Sequence, residues 1–255
     1  MNIVIIGSGN IATHLAQALY SANNTILQVY SRTLANAQAL ANVLNSAATD
    51  DLTQINTEAD LYIIAVSDSA IHSVIADLPK SLQGIVAHTS GATNLDVFAD
   101  FINFGVIYPP QSINKAIETD LSVIPFGIEG NSTQTFEKLF SLIQAIAPKT
   151  FACTSQQRLA LHLSAVIANN FSNALFLMAK EILDKENLDF ELLKPIILET
   201  TIKVQNHTPI ETQTGPARRG DFNIIDKHLQ FLTQYPEESK IYQVLTDFII
   251  KRYTN

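Results

Sequence analysis

Gly7-Ser8-Gly9-Asn10-Ile11-Ala12 is the run in this chain with the plainest chemical use. A glycine at position 7 permits a tight turn, and one at position 9 lets the backbone approach a pyrophosphate. Ala12, where a third glycine is common, is small enough for a helix to pack closely on a strand. The N–H groups that open such a helix face an anion. Gly7, Ser8, Gly9, Asn10 and Ile11 are therefore expected to hold a dinucleotide, although glycine turns also serve structure alone. About 20 residues further on, a site selective for NAD usually places Asp or Glu against the ribose hydroxyls. Ser31-Arg32-Thr33 stands there instead. A guanidinium and two hydroxyls suit a 2′-phosphate, and Arg32 can also cover an adenine face, which points to NADP. The plainer alternative is an exposed arginine at a helix start.

Other candidates follow the apolar runs that read as later strands. Val66 with Ser67, and Ser90 with Gly91, are expected near the cofactor, or else as helix-capping turns. His88 is one candidate proton donor. His162 is another: Val166 follows it by four residues, and Asn169 and Asn170 follow Val166 by three and four. A regular helix would place all of them on one face. Histidine moves protons near neutral pH, and asparagine can orient a carbonyl or imine. A lone histidine in an apolar helix is, however, often only a satisfied core residue. Tyr108 and Gln111 flank Pro109-Pro110 and either touch a substrate or belong to a rigid connection. Arg218 and Arg219, within Thr214–Asp221, could bind an anionic substrate; alternatively Asp221 neutralises one of them in a contact loop. The six histidines are scattered without ligand spacing, so no metal site is expected.

These residues need elements to position them. Strands are expected at Asn2–Ile6, Ile26–Tyr30, Leu61–Val66, Ile85–His88, Phe104–Tyr108 and Ser122–Ile128. Helices are expected between them at Asn10–Ser21, Leu34–Leu44, Ser69–Leu78 and Leu95–Phe101. Alternating strands and helices imply a parallel α/β sheet of the Rossmann type. Beyond it, Thr133–Ile146 reads as an amphipathic helix and Thr150–Cys153 as a short extended piece. Only helices follow, at about 155–186, 189–206 and 236–253, with a loop over 207–223. The expected organisation is a dinucleotide-binding domain over 1–152 and an all-helical substrate and dimerisation domain over 153–255.

Sixteen basic and 24 acidic residues leave a net charge of −8, which argues against nucleic-acid binding through a basic surface. Residues 1–150 hold 5 basic and 12 acidic groups, so phosphate binding there must rest on local geometry. The single cysteine, Cys153, excludes an internal disulfide framework and fits a reducing cytoplasm. Leu159–Ala179 carries no charge and is long enough to span a bilayer. Its His162, Ser164, Asn169, Asn170, Ser172 and Asn173 would be costly against lipid, so a buried core helix and no membrane contact are expected.

Several segments together resemble a known bacterial family that pairs a Rossmann-like domain with the domain of unknown function 2520. They are Gly7–Ala12, Ser31-Arg32-Thr33, His88-Thr89-Ser90-Gly91, Tyr108-Pro109-Pro110-Gln111-Ser112 and Pro125-Phe126-Gly127-Ile128-Glu129-Gly130. Arg158 with His162, Asn169-Asn170, and Thr214-Gly215-Pro216 with Arg218 to Asp221 complete the set. The family is similar in architecture to pyrroline-5-carboxylate reductases and β-hydroxyacid dehydrogenases, with a C-terminal fold like that of 6-phosphogluconate dehydrogenase. The resemblance implies an NADP-dependent oxidoreductase without an assigned substrate, and a homodimer. One departure matters: if Asn170 matches the second asparagine of the dehydrogenases, their lysine position is Val166, which moves no proton. The expected activity is hydride transfer to or from a small C=O or C=N compound at the domain junction. Competing readings are a non-catalytic dinucleotide-binding sensor or scaffold, and a binder of another nucleotide or a flavin-like cofactor.

Overall fold

The computed structural model describes residues 1–112 and 119–253. It forms two compact units, Met1–Asn169 and Asn170–Asn255. The first contains an eight-stranded sheet: β1 Asn2–Ile6, β2 Thr25–Tyr30, β3 Ala47–Thr49, β4 Leu61–Ile64, β5 Ile85–His88, β6 Phe104–Tyr108, β7 Phe126–Gly130 and β8 Thr150–Ala152. The spatial order is β3-β2-β1-β4-β5-β6-β7-β8. Neighbours pair in parallel except β6 and β7. Its first six strands follow the order 3-2-1-4-5-6 of dinucleotide-binding folds.

The continuous apolar runs of β1 and β4 reflect burial on both faces of the sheet. Side chains alternate across a strand, so Ile3 and Ile5 join α1 (Asn10–Ser21) and α2 (Leu34–Leu44) in one core. Val4 and Ile6 face the opposite core with Ile71, Val74 and Ile75 of α3 (Asp68–Asp77). On α1, Ala12, Leu15, Ala16 and Leu19 are the buried positions, the three- and four-residue spacing of one helical face. The helix α4 (Thr133–Gln144) covers β6, β7 and β8.

Three expectations are revised here. The strand expected over Ser122–Ile128 begins only at Phe126, because Asp120 caps a 3-10 turn over Leu121–Val123 and Pro125 has no N–H for the ladder. Leu95–Phe101 is a 3-10 turn over Leu95–Phe98, capped by Asn94. The short β3 was not expected at all.

The helix expected over 155–186 is broken into α5 (Ser155–Ala165), a π-helical stretch (Val166–Phe171) and α6 (Ser172–Lys185). The boundary between compact units falls inside the π stretch, later in the chain than the change of pattern at residue 153. The second unit continues with α7 (Lys194–Asn206), two four-residue helices, α8 (Pro209–Thr212) and α9 (Pro216–Arg219), then α10 (Phe222–Phe231) and α11 (Pro236–Tyr253). The loop expected over 207–223 thus contains helical turns, and Asp221 caps α10 by accepting the Ile224 N–H. Among the described residues no helix is long and apolar enough to cross a membrane.

Candidate functional site

The chain reverses direction across the sheet between β1 and β4, and a crevice opens beyond their carboxyl ends, where open α/β sheets take ligands. A pocket of about 620 Å³ lies there. Gly7 starts its floor with φ +127°, donating its N–H to the Tyr30 carbonyl at 2.8 Å. A Cβ at Gly7 would stand 2.2 Å from the Ala65 carbonyl oxygen, so only glycine fits between β1 and β4. Gly9 differs: a Cβ there would meet no protein atom within 4 Å. Gly9 is the N-cap of α1 and has no side chain to cap it, so the first N–H groups of the helix open onto the pocket edge. Ser8 donates its hydroxyl to Ser31 Oγ at 2.9 Å, tying the glycine turn to the end of β2. This backbone cradle and open volume fit a dinucleotide pyrophosphate.

All of Gly7, Ser8, Gly9, Asn10 and Ile11 line this pocket, as do Ser31, Arg32, Thr33, Val66 and Ser67. Asn36 on α2 and Ala70 and Val74 on α3 also line it, without having been expected there, and Thr89, just beyond β5, joins them. The four-residue spacing of Ala70 and Val74 was the available signal, since such a pair shares one helical face. Gln111 lines the pocket as well. Ser90 and Gly91 do not belong to its wall.

Gly91 instead lies under a second group. A Cβ on it would stand 2.6 Å from His162 Nδ1 and 2.8 Å from Tyr108 Cε2. The Tyr108 hydroxyl and His162 Nδ1 share a hydrogen bond of 3.2 Å, with the two rings edge to face at 6.0 Å. Tyr108 is buried at the end of β6 and His162 is half-buried on α5. Burial pushes the Tyr108 phenol above its usual range; Arg158 opposes this, while Asp68 and Cys153 reinforce it.

Arg158, one turn before His162, is fully buried. Its Nη1 donates to the carbonyls of Ser90, Gly91 and Thr93 at 2.9, 3.2 and 2.7 Å. Its Nη2 donates to Glu129 Oε2 at 3.1 Å and Ser155 Oγ at 3.0 Å. The Glu129 carboxylate also accepts the N–H and hydroxyl of Ser155. Loop 90–93, β7 and the first turn of α5 are thereby joined through one cation.

His88 has no solvent exposure and stacks on Phe98 at 5.4 Å. Its Nδ1 accepts the Ser90 N–H, and burial together with the Arg158 charge pushes its pKa down to about 3. The ring is neutral at physiological pH and supports the loop.

Asn169 and Asn170 are exposed in the π stretch. The i→i+5 pattern of that stretch breaks the four-residue spacing that would have carried them along the His162 face. Arg218 and Arg219 lie on α9 in the second unit. The Arg218 guanidinium sits over the Tyr253 ring at 5.1 Å and Asp221 caps α10; among the described residues Asp221 forms no ion pair with either arginine. Among the described residues no three His, Cys, Asp or Glu side chains converge as a metal site.

Residues 2–87 match the family model described as NADP oxidoreductase coenzyme F420-dependent, and residues 124–249 match the domain of unknown function DUF2520. A solved structure from Bacteroides fragilis, named a "putative NADP oxidoreductase", is 37% identical over 98% of each chain, with a TM-score of 0.86. The chain belongs to the DUF2520 family. The DUF2520 chain shares its fold with an imine reductase from Myxococcus stipitatus in complex with NADP+, at 15% identity, TM-score 0.64 and coverage of 98% of this chain and 92% of that one. It also shares it with a 1-pyrroline-5-carboxylate reductase from Streptococcus pyogenes, at 14% identity, TM-score 0.65 and 98% coverage of each. A curated relative, glutamyl-tRNA reductase of Haloquadratum walsbyi, is 28% identical over 153 residues. That match covers 53% of this chain, which spans about a third (32%) of the relative's length.

Proposed function

We propose that this protein is an NADP(H)-dependent oxidoreductase that reduces a small C=O or C=N compound or oxidises its product. The observation that carries the proposal is a single pocket that brings the Gly7–Ile11 turn together with Ser31, Arg32 and Thr33. The glycine turn and α1 would hold the pyrophosphate, and Arg32 with its flanking hydroxyls would hold the 2′-phosphate. A bound nicotinamide supplies or accepts the hydride. Tyr108 and His162 then serve as the proton source, the phenol being hydrogen-bonded to an imidazole that can replace its proton. His88 is set aside as the donor because it is sealed from solvent and neutral. Arg219 remains the candidate ligand for an anionic substrate, with Arg218 engaged on Tyr253.

The working form is a homodimer. Neither α6 nor α7 has one buried residue, although Phe176, Leu177, Ile196, Leu198 and Ile202 lie on them. Apolar helices without a core of their own call for a partner surface, and a second copy is the commonest such partner.

The test is NADPH oxidation against a panel of aldehydes, ketones, cyclic imines and keto acids. Turnover of at least one is expected, and Tyr108→Phe and His162→Gln should each lower kcat by ~10²-fold while cofactor binding persists. The absence of lysine at Val166 favours a second reading, a dinucleotide-binding sensor. Silence of the whole panel in a protein that binds NADPH tightly would establish that reading instead.

A further inference from the structure

The hydrogen bonds of Arg158 do more than fill a buried space. Three carbonyls of one turn, at residues 90, 91 and 93, converge on Nη1, while Nη2 is held by Glu129 and Ser155. The turn so gripped contains Gly91, the residue against which both His162 and Tyr108 pack too closely for any Cβ. His162 follows Arg158 by one helical turn, so the same side of α5 both anchors the turn and presents the imidazole to it. We propose that Arg158 is the positioning residue of the Tyr108–His162 pair, holding loop 90–93, α5 and, through Glu129 on β7, the neighbouring β6 in the arrangement that lets phenol and imidazole share a proton.

This inference rests on the proton-donating role given to the pair above, but its core is a statement about geometry. The network also places one buried positive charge beside the phenol. The other groups acting on Tyr108 are His162 on the same helix, Asp68 on α3 and Cys153 just before α5. Asp68 and Cys153 disfavour the phenolate, and Arg158 favours it. That charge acts on the phenol through space whatever the ring geometry, whereas the ring contact depends on the hydrogen bonds of Arg158; Arg158→Met removes both, and Arg158→Lys keeps the charge.

Proton NMR of the full chain tests this, with the ring signals assigned from Tyr108→Phe and His162→Gln and with NADPH affinity measured alongside by nicotinamide fluorescence. The native protein should show a nuclear Overhauser contact between the two rings. In Arg158→Lys the contact should be lost, because one ammonium cannot hold three carbonyls and a carboxylate, while NADPH affinity stays within about twofold. The Tyr108 phenol should titrate at higher pH in Arg158→Met, which loses the charge, than in Arg158→Lys. Persistence of the ring contact in Arg158→Lys, or equal Tyr108 titration in the two variants, overturns the proposal. Should Arg158→Met not fold, as judged by absent NADPH binding, the ring contact in Arg158→Lys decides alone. The proton-donor role fails separately: it falls if Tyr108→Phe and His162→Gln turn substrate over at the native rate, whatever the NMR shows of Arg158.

Discussion

At neutral pH the His88 ring is uncharged, since burial first and the Arg158 charge second hold its pKa at about 3 instead of 6.5. Below 6.5 the unfolded chain binds a proton at this histidine that the folded chain refuses. The stability that neutral His88 provides is therefore complete above that value and is lost progressively as pH falls toward 3. Denaturant titrations at neutral pH and near pH ~4.5 should show the native protein losing about 2 kcal/mol more than His88→Asn, whose amide oxygen can still accept the Ser90 N–H. Parallel losses in the two proteins would contradict the burial argument. At this scale, residue type and position made the lining of the β1–α1 pocket legible, because the glycine turn and the basic end of β2 follow neighbouring parallel strands. Arg158 was legible only as part of a resemblance: nothing in its neighbours in sequence shows that three carbonyls from loop 90–93 will meet it. Gly91 was expected near the cofactor or in a capping turn, and an imidazole from α5 packs against it, a long-range contact with no sequence signature.

The β1–α1 turn shows what an element demands of one position. Gly7 combines φ +127° with an Ala65 carbonyl oxygen 2.2 Å from where a Cβ would stand. Gly7→Ala should cost at least about 2 kcal/mol, from backbone strain and the displacement of β4, and should abolish NADPH binding. Thermal unfolding and cofactor titration of that variant check both effects; a native-like Tm would show that the turn relaxes without cost. The neighbouring elements were legible from continuous apolar runs, as at Ile3–Ile6 and Leu61–Ile64. The three-residue β3, Ala47–Thr49, lacks such a run and owes its pairing to β2. Likewise, the π stretch at Val166–Phe171 is composed like the helices on either side, so a regular 3.6-residue period was the natural reading and failed there.

Across the whole molecule the two units differ in how far each can stand alone. The sheet unit has two cores, one on each face. Among the described residues of the second unit few are buried: Ala217, Ile225, Leu232, Tyr235 and Thr246. The uncharged Leu159–Ala179 stretch was expected to be a buried core helix. Its Leu159, Leu163, Ile167, Phe171, Phe176 and Leu177 are exposed in the single chain, a correction that the proposed dimer accommodates. Sedimentation equilibrium at micromolar concentration should give a two-chain species, and Leu177→Glu should shift it toward one chain and lower its Tm. A native protein that stays monomeric under those conditions would exclude the homodimer.

In the proposed function the Gly7–Ile11 turn and Arg32 together select a phosphorylated nicotinamide dinucleotide. Paired titrations of the purified protein with NADPH and NADH, followed by nicotinamide fluorescence, test it most directly. NADPH should bind at least about tenfold tighter than NADH, with Arg32→Ala removing most of that ratio. Binding of neither dinucleotide, or an NADPH:NADH ratio unchanged by Arg32→Ala, would contradict it.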